Sequence, residues 1–396
     1  MLPARALPAR EDVEVAETDT SGLTILMPFM GSNVGGSHIS GLLLGRGLQQ
    51  HFGCRIVVVA PRGAGVLRLA RDHGLAAMEM DEAPTSRIYD PVHVLKGLPR
   101  RIRLLRDLPT EAIVHTNDLN ALQAWGPAAR FLGLPVVHHD RGLGRMLPKS
   151  VALQLASHVV SISDATFARL KAVRAARKSQ VIDPFELAVP ADGAATRRAV
   201  LAELGAPENA PLVGFVGNFW GRKRPLFFLD AARCLLNAEP RAHFVLYGRD
   251  GDHSVAQMQD EIDGRGLSGR VLLAGFRMPP ERNIASLDVL AAPAVREPLG
   301  RTPVEALLLG IPYVATDEAG QAEILRRWGG GVGVPSNASP DEFAAAILRV
   351  IRAPGDLVLD PAARARLADE LSLEAHARRI MALYGEVRRG GGRPPS

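Results

Sequence analysis

Residues 288–310 read DVLAAPAVREPLGRTPVEALLLG and carry the most informative secondary-structure pattern in the chain. This stretch begins as a short apolar run typical of a buried strand, passes through a loop with charged residues and a glycine, and continues with the apolar spacing of a helix. Pro303 suits the first helical turn, because the N–H that proline lacks has no partner there. The stretch therefore predicts a strand, a loop and a helix in that order, the repeating unit of a parallel α/β sheet.

The same alternation extends to both sides along the 396 residues. Strands are predicted at 24–30, 55–60, 112–115, 135–138, 158–162 and 180–183, and again at 212–217, 243–247, 271–275, 288–292, 312–316 and 331–334. Helices are predicted at 37–52, 64–73, 91–107, 119–132 and 164–176, and again at 226–236, 254–266, 281–287, 303–309, 321–328, 340–351 and 373–387. Between the two series, residues 187–211 contain prolines and one short helix, as a connection between domains would.

The pattern predicts an α/β protein with two Rossmann-like doubly wound domains that face each other across a cleft. We place the first domain at 23–190, a linker at 191–211 and the second domain at 212–370. A terminal helix at 371–388 could cross back to the first domain. Residues 1–22 are expected to be a disordered extension, and residues 389–396 a flexible tail.

Composition narrows the possible functions. There are 47 basic and 42 acidic residues, and an excess of +5 is too small and too scattered to indicate nucleic-acid binding. Cys54 and Cys234 are too few and too far apart for a disulfide framework, so a reducing, cytoplasmic location is expected. Cysteines and histidines show no metal-ligand spacing, and no apolar run is long enough to span a membrane.

Three glycine-containing loops follow predicted strands. In the loop at 296–302, Gly300 permits close approach to a ligand, and the following helix start would attract an anion between Glu297 and Glu305. The alternative is that Thr302 and Glu305 form a capping box and only fix the helix start. Sequence spacing leaves both interpretations open.

The other two loops have ambiguous patterns as well. Residues 217–225, GNFWGRKRP, place Arg222, Lys223 and Arg224 where a diphosphate would need charge neutralisation, but a solvated basic turn has the same pattern. Residues 31–37, GSNVGGS, suit close backbone approach, with Ser37 as a possible helix cap. This loop matches neither the dinucleotide fingerprint nor a P-loop, and a plain tight turn would look similar.

A fourth candidate is the strand end at 135–142, PVVHHDRG. Side chains alternate along a strand, so His139 and Arg141 share one face and Asp140 lies on the other. A histidine near an aspartate can act as a general base, although a hydrogen-bonded structural histidine is the commoner case. His115 and Asp118 carry the same ambiguity.

Together these segments resemble the retaining GT-B glycosyltransferases of family four, the group 1 glycosyl transferases. The likeness covers residues 23–388. Its most specific part is EPLGRTPVEALLLGIPYVATDEAG at 297–320, which resembles the two glutamates with seven residues between them that mark the family. AGF at 274–276 also falls where the family places it.

The resemblance implies donor-binding roles position by position. Glu305 would hold the ribose hydroxyls, Glu297 the hydroxyls of the transferred sugar, and Lys223 the phosphates. The remaining implied donor positions are Gly35, Gly36, Gly217, Asn218, Phe276, Arg277, Leu299, Gly300, Arg301 and Thr302. Phe276 and Arg277 would lie near the base.

Two positions depart from the family pattern. Asn218 stands where the family commonly has an arginine, and Arg222 could supply the missing charge. The histidine that usually approaches the transferred sugar aligns with Arg141, so either Arg141 or His139 would take that role. The catalytic set implied by the resemblance is thus Lys223, Arg222, Glu297, His139 and Arg141, without a metal or another cofactor.

The implied reaction moves a sugar from a UDP- or GDP-sugar to an acceptor hydroxyl with retention of configuration. The acceptor would be a glycan, a lipid-linked saccharide or a small metabolite. The alternatives are a nucleotide-sugar epimerase of the same fold and a non-catalytic nucleotide-sugar-binding protein. Two basic stretches predicted as helical, 96–106 and 169–178, could touch the inner membrane face, although solvated helix faces show the same pattern more often.

Overall fold

The computed structural model describes residues 22–31, 34–82, 91–144, 146–173, 177–187 and 193–389. The predicted N-terminal extension and C-terminal tail lie outside this range except at Gly22 and Arg389. The first two residues of the predicted linker, 191–192, also lie outside it.

The first domain contains a seven-stranded parallel sheet in the order β3-β2-β1-β4-β5-β6-β7. Its strands are β1 (Thr24–Pro28), β2 (Arg55–Pro61), β3 (Ala76–Met80), β4 (Ile113–Thr116), β5 (Val136–Asp140), β6 (His158–Ser161) and β7 (Arg177–Gln180). Its helices are α1 (Gly36–Phe52), α2 (Gly65–Asp72), α3 (Pro91–Arg106), α4 (Leu119–Phe131), α5 (Met146–Leu153) and α6 (Asp164–Arg169).

After α7 (Gly193–Glu203), the second domain repeats this plan with six parallel strands in the order β10-β9-β8-β11-β12-β13. The strands are β8 (Leu212–Val216), β9 (His243–Tyr247), β10 (Val271–Gly275), β11 (Val289–Ala292), β12 (Tyr313–Thr316) and β13 (Gly331–Val334). The helices are α8 (Pro225–Ala238), α9 (Val255–Gly264), α10 (Pro280–Ala285), α11 (Arg301–Leu309), α12 (Ala319–Trp328), α13 (Pro340–Arg352), α14 (Pro361–Glu370) and α15 (Leu373–Arg389).

The two strand orders confirm the predicted pair of doubly wound domains. Central strands such as β2 and β9 are buried because helices cover both faces of each sheet, which is why these segments are apolar throughout rather than alternating. In each sheet the order reverses beside the first strand, between β1 and β4 and between β8 and β11. Ligands of such folds bind outside the carboxyl ends of the strands at these two switch points.

One predicted helix was wrong, and a strand and some helices of the structure were not predicted. Strand β3, of sequence AAMEM, was not predicted because it is a sheet edge with mostly exposed residues and no apolar run. Helices α5 and α14 were also missed. The basic stretch 169–178 is not one helix, since α6 ends at Arg169, a 3₁₀ turn covers 170–172, and Arg177 opens β7. Residues 174–176 of that stretch lie outside the described residues.

The chain crosses between the domains twice. Helix α15 returns to the first domain and packs on α1, with Ile380 and Tyr384 buried in the same core as β1. The Tyr384 hydroxyl lies 2.7 Å from His115 Nδ1, in the first-domain sheet. The two crossing segments are joined side by side, because the Phe185 N–H donates to the Leu371 carbonyl over 2.9 Å.

Gly47 sets how closely α15 approaches α1. A Cβ at Gly47 would lie 3.0 Å from the Leu373 carbonyl oxygen and 3.3 Å from Ala377 Cβ. We expect Gly47→Val to lower the free energy of unfolding by about 1–3 kcal/mol through overpacking, seen as a lower thermal midpoint. Gly385→Ala is the control, because its nearest neighbour is the flexible end of Arg389 at 3.6 Å. A wild-type midpoint for Gly47→Val would contradict this close approach.

Candidate active site between the two domains

The loops at the two switch points face each other, and we call the space between them the cleft. On the first-domain side it is bounded by residues 34–40, and on the second-domain side by residues 217–223 and 293–305. The cleft is crossed by arginines of the second domain. Arg249 donates to the Val34 carbonyl over 3.1 Å, and Arg301 donates to Ser40 Oγ over 2.9 Å.

Backbone hydrogen bonds shape the basic turn at 217–223. Gly217 has φ 155°, which suits glycine, and a 3₁₀ turn covers Gly221–Lys223. The Lys223 N–H donates to the Trp220 carbonyl over 2.8 Å. The Arg222 carbonyl accepts from the Val295 N–H over 2.9 Å. The turn is thereby fixed to the loop that follows β11.

This arrangement brings both cations of the turn onto one carboxylate. Lys223 Nζ lies 3.0 Å from Glu297 Oε2, and Arg222 Nη1 donates to the same oxygen. Burial alone would raise the pKa of Glu297, but Lys223 and Arg222 outweigh burial, so the pKa lies below its ordinary value. Glu297 is 8% exposed, so this is a partly desolvated cluster of two positive charges and one negative charge.

The helix start in the same loop contradicts the capping-box interpretation. Helix α11 begins at Arg301, one residue before Thr302, and the residue ahead of it is Gly300 with φ 96° and no side-chain cap. Gly300 packs tightly there, because an added Cβ would lie 3.1 Å from Gln321 Cγ. Within the part of the chain that the structure describes, no side chain caps the N–H groups of the first turn, which leaves them available to an anion.

Glu305 lies one turn inside α11 and is 7% exposed. Arg301 is its ion partner, with Nε 3.5 Å from Oε1. Burial raises the pKa of Glu305, and the nearby Glu281 adds to that increase. Arg301 and Lys223 oppose it without cancelling it. Glu305 is thus a buried carboxyl whose ionisation depends on neighbouring cations.

The first-domain glycine loop meets this helix start. Gly35 precedes α1 and Gly36 begins it, so Ser37 lies inside the first turn and is not the helix cap that the sequence suggested. A Cβ at Gly36 would lie 3.4 Å from Arg301 Cδ, so the loop and the α11 start are in near contact. Residues 32–33 of the loop lie outside the described residues.

Phe276 and Arg277, the two predicted base-binding residues, differ in their contacts. Phe276 is 58% exposed, and the Arg249 guanidinium lies 5.0 Å from its ring centre. Arg277 instead donates to Glu203 over 2.9 Å and to the Ala274 carbonyl over 2.9 Å. An exposed ring beside a cation is a suitable surface for stacking a base.

His139 is wholly buried in the first domain. Its Nδ1 lies 3.2 Å from His115 Nε2, and its ring stacks on His376 with 5.7 Å between centres. Burial, and then the Arg141 charge, hold the pKa of His139 well below its usual value, so the ring is neutral near pH 7. Among the described residues, its Nε2 has no hydrogen-bond partner.

Arg141 is bound within the first domain as well. Its Nε lies 3.0 Å from both carboxylate oxygens of Asp183, and its Nη1 donates to Asn117 Oδ1 over 2.8 Å. Burial would raise the pKa of Asp183, but Arg141 outweighs burial and lowers it. Asp183 and Asn117 follow strands β7 and β4, and their position at strand ends was the only sequence signal for them.

Comparison with known proteins identifies the class of enzyme. Residues 210–353 match the profile of the glycosyl transferases group 1. The 2-deoxystreptamine glucosyltransferase of Streptomyces kanamyceticus is 29% identical over 375 residues, which cover 85% of this chain and 95% of that protein. The protein is a glycosyltransferase, and its residues 210–353 carry the group 1 profile.

Further similarities agree with this assignment. An Escherichia coli UDP-Gal:alpha-D-GlcNAc-diphosphoundecaprenol alpha-1,3-galactosyltransferase is 26% identical over 279 residues, 65% of this glycosyltransferase and 72% of that enzyme. Anabaena HepE, solved in complex with UDP and glucose, has a TM-score of 0.77 at 19% identity, covering 92% of this chain and 99% of HepE. The fold is GT-B, as the resemblance implied.

One of the two basic stretches that could touch a membrane is partly buried. Within the described ranges no helix is long and apolar enough to cross a membrane. In the basic stretch at 96–106, which lies in α3, Arg101 is wholly buried and donates to Glu82 over 2.6 Å. That arginine belongs to the interior of the first domain rather than to a surface patch.

Proposed function

We propose that this glycosyltransferase moves a sugar from a UDP-sugar to a hydroxyl of a sugar or cyclitol, with retention of anomeric configuration. The observation that carries the proposal is the Lys223–Arg222–Glu297 cluster beside the uncapped start of α11. Two side-chain cations and a helix start converge where a diphosphate can bind.

The chemistry needs positive charge at the leaving group. When the bond between sugar and phosphate breaks, negative charge grows on the departing nucleoside diphosphate. Lys223 and Arg222 stabilise this charge, and the free N–H groups of α11 add to their effect. In the structure Glu297 pairs with both cations and leaves a net positive charge on the cluster. A bound diphosphate would share them, and Glu297 would then hold hydroxyls of the sugar.

The rest of the donor lies along the second domain. Glu305 accepts from the ribose hydroxyls, and the Phe276 ring with Arg249 faces the base. Uridine is favoured because HepE is described in complex with UDP, and the E. coli relative is named as using UDP-Gal. These similarities support a uridine nucleotide as the donor class.

The acceptor class is supported by the names of relatives. These include a 2-deoxystreptamine glucosyltransferase and D-inositol 3-phosphate glycosyltransferases, whose named substrates are cyclitols. In the first domain we assign the acceptor side to the loop that ends at Gly36, and to Arg141. The Arg141 side chain is 6% exposed, whereas His139 is wholly buried and can act only through its neighbours.

The assay that tests the proposal combines UDP-glucose, UDP-galactose, UDP-N-acetylglucosamine and GDP-mannose with a panel of sugars and cyclitols. Mass spectrometry detects the product, and NMR reads its anomeric configuration. Exclusive use of GDP-mannose would overturn the uridine assignment, and an inverted product would overturn retention. An epimer formed from donor alone would favour the epimerase alternative, and UDP binding with no turnover would favour a non-catalytic protein.

We expect transfer to be independent of divalent metal, because Lys223, Arg222 and the helix start supply positive charge at the diphosphate. The measurement is kcat after treatment with EDTA, compared with untreated enzyme. Unchanged kcat is the expected result. A loss that added Mg²⁺ restores would show that a metal supplies part of this charge.

A further inference from the structure

Arg301 belongs to the second domain, but its guanidinium lies against the first domain and the crossing segment. Nη1 donates to Ser40 Oγ over 2.9 Å and to the Pro184 carbonyl over 3.3 Å. The guanidinium carbon lies 4.2 Å from the ring centre of Phe185. Ser40 is wholly buried in α1, the helix that begins at the glycine loop. One side chain therefore touches both the first domain and the segment at which the domains are joined.

The same side chain also contacts the donor site. Arg301 Nε lies 3.5 Å from Glu305 Oε1 on the next turn of α11. One edge of the guanidinium thus faces the carboxylate while the other edge reaches the first domain. Lysine has a single nitrogen on a flexible stem and cannot make both contacts at once.

We propose that Arg301 is a positioning residue that keeps the Glu305 carboxylate in place for the nucleotide and couples it to the contact between the two domains. The proposal rests on the proposed function, because it concerns the same donor site. It adds a role for the Arg301 side chain, beyond the main-chain contact that the family resemblance implies.

The charge around Glu305 explains why it needs this partner. The charged groups facing it are Arg301 on its own helix, Lys223 on the basic turn and Glu281 on α10. Burial and Glu281 favour the protonated carboxyl, whereas Arg301 and Lys223 favour the ionised one. A carboxylate that receives two ribose hydroxyls must be ionised to accept from both. Without Arg301, Lys223 would remain to oppose burial and Glu281.

The test measures UDP binding by calorimetry, and donor KM and kcat, from pH 6 to pH 8.5. We expect Arg301→Gln to weaken UDP binding about tenfold at pH 6 and less at pH 8.5, because a tenfold loss corresponds to about one hydrogen bond to a charged group. Binding should recover as pH rises, because Glu305 then ionises without help. Arg301→Lys should restore the wild-type pH profile of UDP binding but leave kcat/KM low. Ser40→Ala should lower kcat/KM with a wild-type pH profile.

Arg327→Gln is the matched control. Arg327 also joins the domains, with Nη2 2.7 Å from Glu323 and 3.5 Å from Asp164, but it does not contact Glu305. Its loss should lower thermal stability without a pH-dependent change in UDP binding. If Arg327→Gln shows the same pH-dependent loss, or if Arg301→Gln binds UDP as the wild type does, the positioning role is overturned. Failure of the wild-type enzyme to bind UDP would instead refute the proposed function.

Discussion

Lys223→Ala is expected to reduce transfer by at least about 100-fold, the usual effect of removing one group that stabilises charge in the transition state. Lys223 contacts Glu297 in the free enzyme and faces the leaving phosphates in the proposed complex. Its loss removes a positive charge that Arg222 cannot replace from its own position. The measurement is kcat from UDP release at saturating donor.

The fold should survive this change. Glu297 keeps Arg222 as an ion partner, so no buried carboxylate is left uncompensated. Circular dichroism and the thermal midpoint of the variant should match the wild type. Lys171→Ala, at an exposed position of the first domain, is the control and should retain full activity. A Lys223→Ala enzyme with near-normal kcat would disprove the phosphate role.

Glu297→Gln is expected to lower kcat/KM about 100-fold, because a sugar held in a slightly wrong position reacts that much more slowly. UDP contains no transferred sugar, so its affinity should change little. Comparison of UDP binding with transfer therefore separates a sugar contact from a phosphate contact. Equal losses in both would show that Glu297 acts only by orienting the cations.

Glu297→Gln should also change how the stability of the fold depends on pH. The pKa of Glu297 is lowered in the folded protein, so its ion pairs stabilise the fold fully above the ordinary carboxyl pKa. That contribution is lost as pH falls through the lowered value. Glu297→Gln should thus destabilise the protein near pH 7 and flatten its acid unfolding curve. Glu370→Gln, an exposed change at the end of α14, should leave the curve unchanged.

Much of the fold was predictable because buried parallel strands have continuous apolar sequences. All six strands of the second sheet were predicted from such runs. Strand β3 was not, since it forms by pairing with β2 at a sheet edge and its own residues carry little strand pattern. The hydrogen bonds that stabilise this strand come from β2, outside the segment whose pattern was read.

The donor side of the site was predictable for a related reason. Strand ends at the switch points converge, so loops after β8 and β11 were expected to lie together. The local sequence could not show whether Glu305 would cap the helix start or bind Arg301. Thr302 has the right spacing to cap with it, but the Gly300 conformation starts the helix earlier, and Arg301 binds the carboxylate instead.

The acceptor side depended on packing between distant parts of the chain. His139 resembled a base beside Asp140, but its surroundings are His115 from β4 and His376 from α15. Asp140 pairs instead with Lys149 over 2.6 Å. Strand alternation gives the face on which a side chain lies. It does not reveal that a terminal helix will cover that face.

The return of α15 makes the second domain an insertion into the first. Two peptide connections lie side by side where Phe185 binds Leu371, so they permit rotation about one line and resist twisting or sliding. A single proteolytic cut in either connection would leave the halves held by the other. The cleft of this enzyme should therefore open by rotation about a single hinge axis. The donor and acceptor loops should separate on opening and return to the same alignment on closing.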